Sequence, residues 1–342
     1  MKNWLRIIFF SVLGLGLLAT SEKTDAAAPA ENIQLKLVYY TTPGEAKPTY
    51  VIQAFVNKVK ERSGGRLEIK IIGGPEVFAP PDLLAKCKAG LADLVFCPAG
   101  YWAATAPELA FDGLPYDVSW DGLSALMDAT RPLQDGILNQ HGCKLLGNLY
   151  LPGAFYLATK APIQTMADLK GRSIRGHGLM PAILIEAVGA SAVVLPTAEL
   201  VGALERGVVG GAMVAAATIQ DLKFWDLGVK HCVQYAMAFA FTCNVVTNQT
   251  AYRRLPPDLQ KILSDVGREM EKAMVSYWKE QEGGVIADCK ARGITFYTLP
   301  ADEAKRGREA TVAKAGPAFL GRKGVDKGIA QQFVDLMKRT WR

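Results

Sequence analysis

The sequence has few of the residues from which enzyme active sites are built. Histidine occurs three times, at His141, His177 and His231, and the three are far apart in the chain. There is no H-E-x-x-H, G-x-S-x-G, G-x-x-x-x-G-K-[ST] or G-x-G-x-x-G. Zinc-peptidase, serine-hydrolase, phosphate-loop and dinucleotide-binding chemistries therefore lack their signatures. Cys232 follows His231 directly, but adjacent side chains in a strand point to opposite faces, so the two are no catalytic dyad. The six cysteines, Cys87, Cys97, Cys143, Cys232, Cys243 and Cys289, contain no C-x-x-C, which removes zinc-ribbon and thioredoxin readings. We expect no enzymatic activity, no metal and no cofactor.

Clustered charge is also missing. Lysine and arginine number 39 against 33 acidic residues, a formal net charge of +6, and the two signs are interleaved along the chain. Nucleic-acid binding needs a basic stripe, so no nucleic-acid partner is expected. The mild positive balance suits a weak attraction for anions. Long apolar runs are confined to Ile7–Ala19, shorter than the roughly 20 residues of a membrane span. Lys2 and Arg6 precede this run, and Ala26-Ala27-Ala28 follows it. Residues 1–30 thus read as a cleaved signal peptide, with export to the periplasm as its consequence. No cysteine follows the run, so a lipid anchor is not expected, and the mature chain should be soluble.

What remains after the leader exceeds one comfortable core and predicts two lobes. The patterning alternates strand and helix. Residues 32–40 read as a strand. Thr49–Ser63 reads as a helix, with Val51, Ile52, Phe55, Val56 and Val59 on one face and Gln53, Asn57, Lys60 and Glu61 on the other. Gly64-Gly65 ends it, and 66–72 is the next strand, giving a βαβ unit with parallel strands. A helix at 81–89, a strand at 92–97, a helix at 119–140 and a strand at 143–150 follow. The second series has strands at 155–160, 173–175, 191–195 and 211–214, with helices at 180–188, 198–206 and 219–227. Strands at 231–235 and 240–246 are expected to cross back to the first lobe. Pro256-Pro257 precedes one helix from Asp258 to about Arg292, long enough to span both lobes. Cys232 and Cys243 lie in two of the apolar runs and are a candidate disulfide; buried free thiols are the alternative.

Ligands of such open sheets gather beyond the carboxyl ends of the strands. The loops at 40–42, 73–78 and 98–102 are therefore candidate cleft walls. The most informative stretch is Asp168-Leu169-Lys170-Gly171-Arg172-Ser173-Ile174-Arg175. Asp168 is read as an N-cap-like residue opening a turn that Gly171 closes, and a short strand then ends on Arg175. Gly176 and Gly178 keep bulk away from that guanidinium, whose planar fork suits a carboxylate.

Residues Pro162–Arg175 resemble the "PI.T..DLKG.KIR" segment of the solute-binding proteins of TRAP transporters, the DctP-like family. Ser63-Gly64-Gly65-Arg66-Leu67, Ala89-Gly90-Leu91-Ala92-Asp93 and Leu204–Gly211 are similar to further motifs of that family. So are Asn248, Leu255 and Pro256, with Tyr252 where the family has tryptophan. The resemblance implies a type II-like periplasmic binding fold of the α/β class, with two lobes joined by hinge strands and crossed by a long helix. Lobe I would take 31–150 plus about 241–275, and lobe II 151–240 plus about 276–342. The protein would close on an organic acid and hand it, as a monomer, to the small and large TRAP membrane subunits for ion-gradient-driven uptake. The resemblance gives Arg175 the ligand carboxylate. Many family members carry a second arginine after the glycine matched by Gly153, and Glu-Asn after the Val-Asp-Gly matched by Val209-Gly210-Gly211. Here Ala154-Phe155-Tyr156 and Ala212-Met213-Val214 stand instead. These changes favour a monocarboxylate with an apolar or aromatic tail. Tyr40, Thr41, Phe78, Trp102, Phe155 and Met213 are candidate contacts, and His177 a second polar one. A C4-dicarboxylate-binding TRAP protein, a periplasmic ligand sensor and an ABC-type binding protein are the alternatives.

Overall fold

The computed structural model describes residues 32–41, 46–114, 120–150, 155–234 and 242–340. The leader lies outside them, as do Gly153 and Ala154. Burial follows the apolar pattern from the first unit onward. β1 (Ile33–Tyr39) leads to α1 (Ala46–Arg62), which buries Val51, Ile52, Phe55, Val56 and Val59 and leaves Gln53, Asn57, Lys60 and Glu61 exposed. Each large apolar side chain removed from water contributes about 1.5–3 kcal/mol. Gly64 and Gly65 both take positive φ, which stops the helix. β2 (Leu67–Gly73) then pairs parallel with β1. Next come α2 (Leu83–Lys88), β3 (Leu94–Pro98), α3 (Trp120–Gln140) and β4 (Cys143–Tyr150).

The second series runs β5 (Phe155–Thr159), β6 (Ser173–Gly176), α4 (Leu179–Ala187), β7 (Ser191–Val194), α5 (Thr197–Glu205), β8 (Gly211–Ala215), α6 (Ala216–Asp221) and β9 (His231–Gln234). β10 (Thr242–Asn248), α7 (Gln249–Arg254), α8 (Pro257–Ala291), β11 (Thr295–Thr298), α9 (Ala301–Leu320) and α10 (Lys327–Thr340) complete the chain. The strands form two sheets, ordered β2-β1-β3-β10-β4 and β11-β9-β5-β8-β6-β7. The chain thus passes from one sheet to the other between β4 and β5 and returns between β9 and β10. Register sets the faces. Phe155 opposes Ala215 and Leu157 opposes Met213, and these four join the larger core. Tyr156, Ala158, Ala212 and Val214 face the smaller core with Leu200, Leu204, Phe224 and Cys232.

α8 has 35 residues, about 50 Å of helix, and it ties the two sheets together. Its first part packs on β4, α1 and α3, and its last part on α6 and β11. The approach to β4 is very close. A Cβ on Gly267 would lie 2.4 Å from the Leu146 carbonyl oxygen, and one on Gly147 2.6 Å from the Gly267 carbonyl oxygen. One turn further on, Glu271 accepts the Asn148 backbone N–H at 2.6 Å and pairs with Arg131 at 3.0 Å and Arg268 at 2.6 Å. Burial outweighs these partners and leaves the Glu271 pKa above the ordinary carboxylate value. On the far half, Gln220 donates to Asp288 at 2.7 Å.

Three expectations are corrected. The helix expected over 219–227 is α6 followed by a separate 3-10 turn, Phe224–Leu227, because Lys223 adopts a left-handed φ of 49° between them. Asp168 is the third residue of the turn Met166–Leu169 and not its N-cap; its carboxylate accepts the N–H groups of Gln164 at 2.8 Å and Thr165 at 2.9 Å. Cys232 and Cys243, offered as a pair, belong to different sheets, on β9 and β10. Three elements after residue 292 have no counterpart in the sequence pattern. α9 packs on α4, while α10 packs on α3 and on the turn Pro107–Gly113, where Phe333 stacks on Phe111 at 4.0 Å.

Candidate ligand-binding site

β6, flanked by β8 and β7, carries Arg175 near its carboxyl end, facing the turn that follows β3 of the other sheet. Gly171, at φ +75°, turns the chain into the strand, and Ile174 is buried in the larger core beneath it. Arg175 as a whole is 2% exposed. Its Nε donates to the Leu195 carbonyl at 2.9 Å, and its Nη2 donates to the Thr197 hydroxyl at 3.1 Å and the Tyr101 hydroxyl at 3.3 Å. Leu195 and Thr197 lie past the carboxyl end of β7, at the start of α5. Tyr101 lies in the turn Ala99–Trp102, which follows β3 of the other sheet. The three described acceptors are neutral oxygens, and they orient the fork. The amino end of α5 adds further positive potential beside it.

The two sides touch around this point. Backbone comes so close that a Cβ on Gly178 would stand 3.3 Å from the Gly100 carbonyl oxygen, and one on Gly113 2.5 Å from the Met180 Cβ. A ring of aromatic groups lies between. The Tyr101 ring is 6.3 Å from His177 and 6.3 Å from Tyr40; Phe155 is 5.8 Å from His177, and Tyr40 is 5.8 Å from Phe96. His177 is buried, and this burial, aided by the Arg175 charge, holds its pKa well below the ordinary imidazole value. It is therefore a neutral hydrogen-bonding group at pH 7.

The structure gathers some of the expected residues and disperses others. Arg175, His177, Phe155 and Tyr40 form one connected group through Tyr101. Thr41 is buried next to Tyr40, with its carbonyl oxygen against Gly74. Met213 is buried in the larger core, opposite Leu157 and two residues before Ala215, the partner of Phe155. Phe78 has no described contact with this group: it packs against the larger core, with the Lys86 ammonium 5.6 Å from its ring centre. Trp102 is fully buried, with its indole against the Cys97 thiol; its neighbour Tyr101 is the aromatic that reaches Arg175. Tyr101, Thr197 and the Leu195 carbonyl were not anticipated. Of the two aromatic residues in the 98–102 loop, Tyr101 contacts Arg175 and Trp102 is buried behind it. Among the described residues no group of three metal-ligating side chains occurs, and no helix is long and apolar enough to cross a membrane.

Residues 37–315 match DctP, the bacterial extracellular solute-binding protein family 7. A solute-binding protein of Albidiferax ferrireducens is 24% identical over 297 residues, covering 83% of this chain and 86% of that one. The crystal structure of a Bordetella pertussis extracytoplasmic solute receptor binding pyroglutamic acid has a TM-score of 0.81 at 23% identity, over 90% of this chain and 99% of that one. A TRAP periplasmic solute-binding protein from Desulfovibrio salexigens with bound orotic acid gives 0.78 at 23% identity, again over 90% and 99%. With the family match running through both sheets and the whole of the long helix, the chain belongs to the DctP family: it is a bacterial extracellular solute-binding protein and not an enzyme.

Proposed function

We propose that this protein captures a monocarboxylate with an apolar or aromatic body and delivers it to the small and large membrane subunits of a TRAP transporter for ion-gradient-driven uptake. The observation that carries the reading is Arg175, a buried cation oriented by neutral oxygens from both sides of the junction between the sheets. A carboxylate placed there gains a bidentate, charge-assisted partner in a water-poor setting. Phe155, Tyr40 and Tyr101 offer rings to the rest of the ligand, and neutral His177 offers one polar contact without a second charge. Two of the relatives with solved structures bind pyroglutamic and orotic acid, each with one carboxyl group on a compact ring, which supports this reading, while others hold the polar acids galacturonate and glucuronate. Lobe I, 31–150 plus about 241–275, and lobe II, 151–240 plus about 276–342, close on the ligand in this reading, with α10 reaching back to α3. Closure transmits binding only if the closed state holds the acid more tightly than the open one. We further propose that the leader is cleaved on export and that the mature protein acts as a monomer.

A thermal-shift screen of organic acids tests the ligand class. Cyclic, aromatic or branched monocarboxylates should raise the melting temperature, and succinate and sialic acid should not. Stabilisation confined to succinate or sialic acid would reject the apolar-pocket reading.

A further inference from the structure

All six cysteines are buried thiols, and two of them meet. Cys87 on α2 and Cys143 at the start of β4 are neighbours, near enough for each thiol to act electrostatically on the other. Their backbones are held there by one corner of the first sheet. Asn248, the last residue of β10, pairs with Cys143 across the ladder. Its side-chain amide donates to the Cys87 carbonyl at 2.8 Å and the Lys88 carbonyl at 3.2 Å. The Gln249 amide donates to the Cys143 carbonyl at 3.2 Å. The same Asn248 side chain caps α7, accepting the Ala251 N–H at 2.9 Å. The end of α2 and the start of β4 are thus clamped by a shared set of hydrogen bonds, which brings the backbones of the two buried cysteines together.

We infer that Cys87 and Cys143 form an intramolecular disulfide as the chain folds outside the cytoplasm. The family is extracytoplasmic, so folding takes place where protein disulfide oxidants act. One cysteine thiolate attacks a sulfur of the oxidant's disulfide and releases one of its thiols. The second thiolate then attacks the mixed disulfide and releases the other. The two cysteines lose two protons and two electrons, and the oxidant's disulfide becomes a dithiol. The timing follows from burial. In the folded chain both sulfurs are shut away from solvent, and the thiolate that exchange requires is disfavoured at Cys87. The bond therefore forms before this corner closes, and once formed it resists reductants until the protein unfolds. The link brings together chain separated by β3 and α3. It also braces α2, which leads into β3 and the turn bearing Tyr101.

The experiment is thiol counting on the full mature chain. Protein refolded from the reduced, denatured state in a glutathione redox buffer is unfolded again, alkylated and mapped by mass spectrometry. Four alkylated cysteines and a linked Cys87–Cys143 peptide are expected. Cys87→Ala and Cys143→Ala should each show five alkylated cysteines and no link. Reduced protein that is already folded should keep all six thiols in the same buffer. Six alkylated cysteines after oxidative refolding would overturn the proposal, and so would a link joining other residues, such as the Cys232–Cys289 pair of the smaller core. Loss of two thiols from the folded, reduced protein would overturn the timing. The wild-type map decides the question even if an alanine variant fails to fold.

Discussion

Replacing Arg175 with alanine should separate ligand affinity from folding. In the unliganded chain the guanidinium makes three described hydrogen bonds to neutral oxygens. Hydrogen bonds to a charged group contribute about 1.5–3 kcal/mol each. Burying the cation costs several kcal/mol in return. The two terms largely offset, so the unliganded melting transition should move little, by the equivalent of less than about 2 kcal/mol. Binding has no such offset. An acid entering a pocket that has lost its cation forfeits about 2–5 kcal/mol. At about 1.4 kcal/mol per tenfold, the dissociation constant rises roughly 30- to several-thousand-fold. Arg175→Lys keeps the charge but loses the planar fork, and should fall between the two. Isothermal titration with an acid that stabilises the wild type, run beside thermal melts of the unliganded variants, reads both quantities. Unchanged affinity in Arg175→Ala would refute the site. A collapse of unliganded stability as large as the affinity loss would make Arg175 a structural cation instead.

Two further outcomes follow from the same neighbourhood. Tyr101→Phe removes a hydroxyl that accepts from the guanidinium at 3.3 Å, and titration should show affinity reduced about 10- to 150-fold, the worth of one hydrogen bond to a charged group; an unchanged constant would mean that the hydroxyl does not hold Arg175 in the bound state. His177 has a folded-state pKa below its unfolded value, so below the ordinary imidazole pKa of about 6.5 the unfolded chain binds more protons. Its contribution is complete above that pH and is lost as pH falls toward the depressed folded-state value, at up to about 1.4 kcal/mol per pH unit. Urea unfolding at pH 7 and pH 5 should show a steeper loss for wild type than for His177→Gln, and equal slopes would contradict the buried neutral imidazole.

The fold was largely legible because periodicity records burial. The inward residues of α1, the strands on either side of it and the length of α8 can all be read from the spacing of apolar side chains. Where the reading failed, the deciding feature was not a spacing. Lys223 interrupts a helical pattern by a backbone angle that no local signal announces. The close seat of α8 on β4 depends on Gly147 and Gly267, which are distant in sequence and lack a Cβ at one point of contact. α9 carries a weak apolar pattern and gains its place from the helix it packs on.

The site divides in the same way. The chain by itself determined that a guanidinium would stand at the end of a short strand, because the turn, Gly171 and the small residues after Arg175 are local. It also supplied the aromatic residues, Tyr40, Tyr101 and Phe155. Tertiary structure alone decided which of these meet. Tyr101, and not Trp102, reaches Arg175, because a turn following one sheet meets the carboxyl end of a strand in the other and only one of two adjacent rings faces that junction. Thr197 and Leu195 join them for the same reason: contacts between distant segments depend on how sheets and helices are set against one another, and side-chain spacing along a single segment carries no record of that.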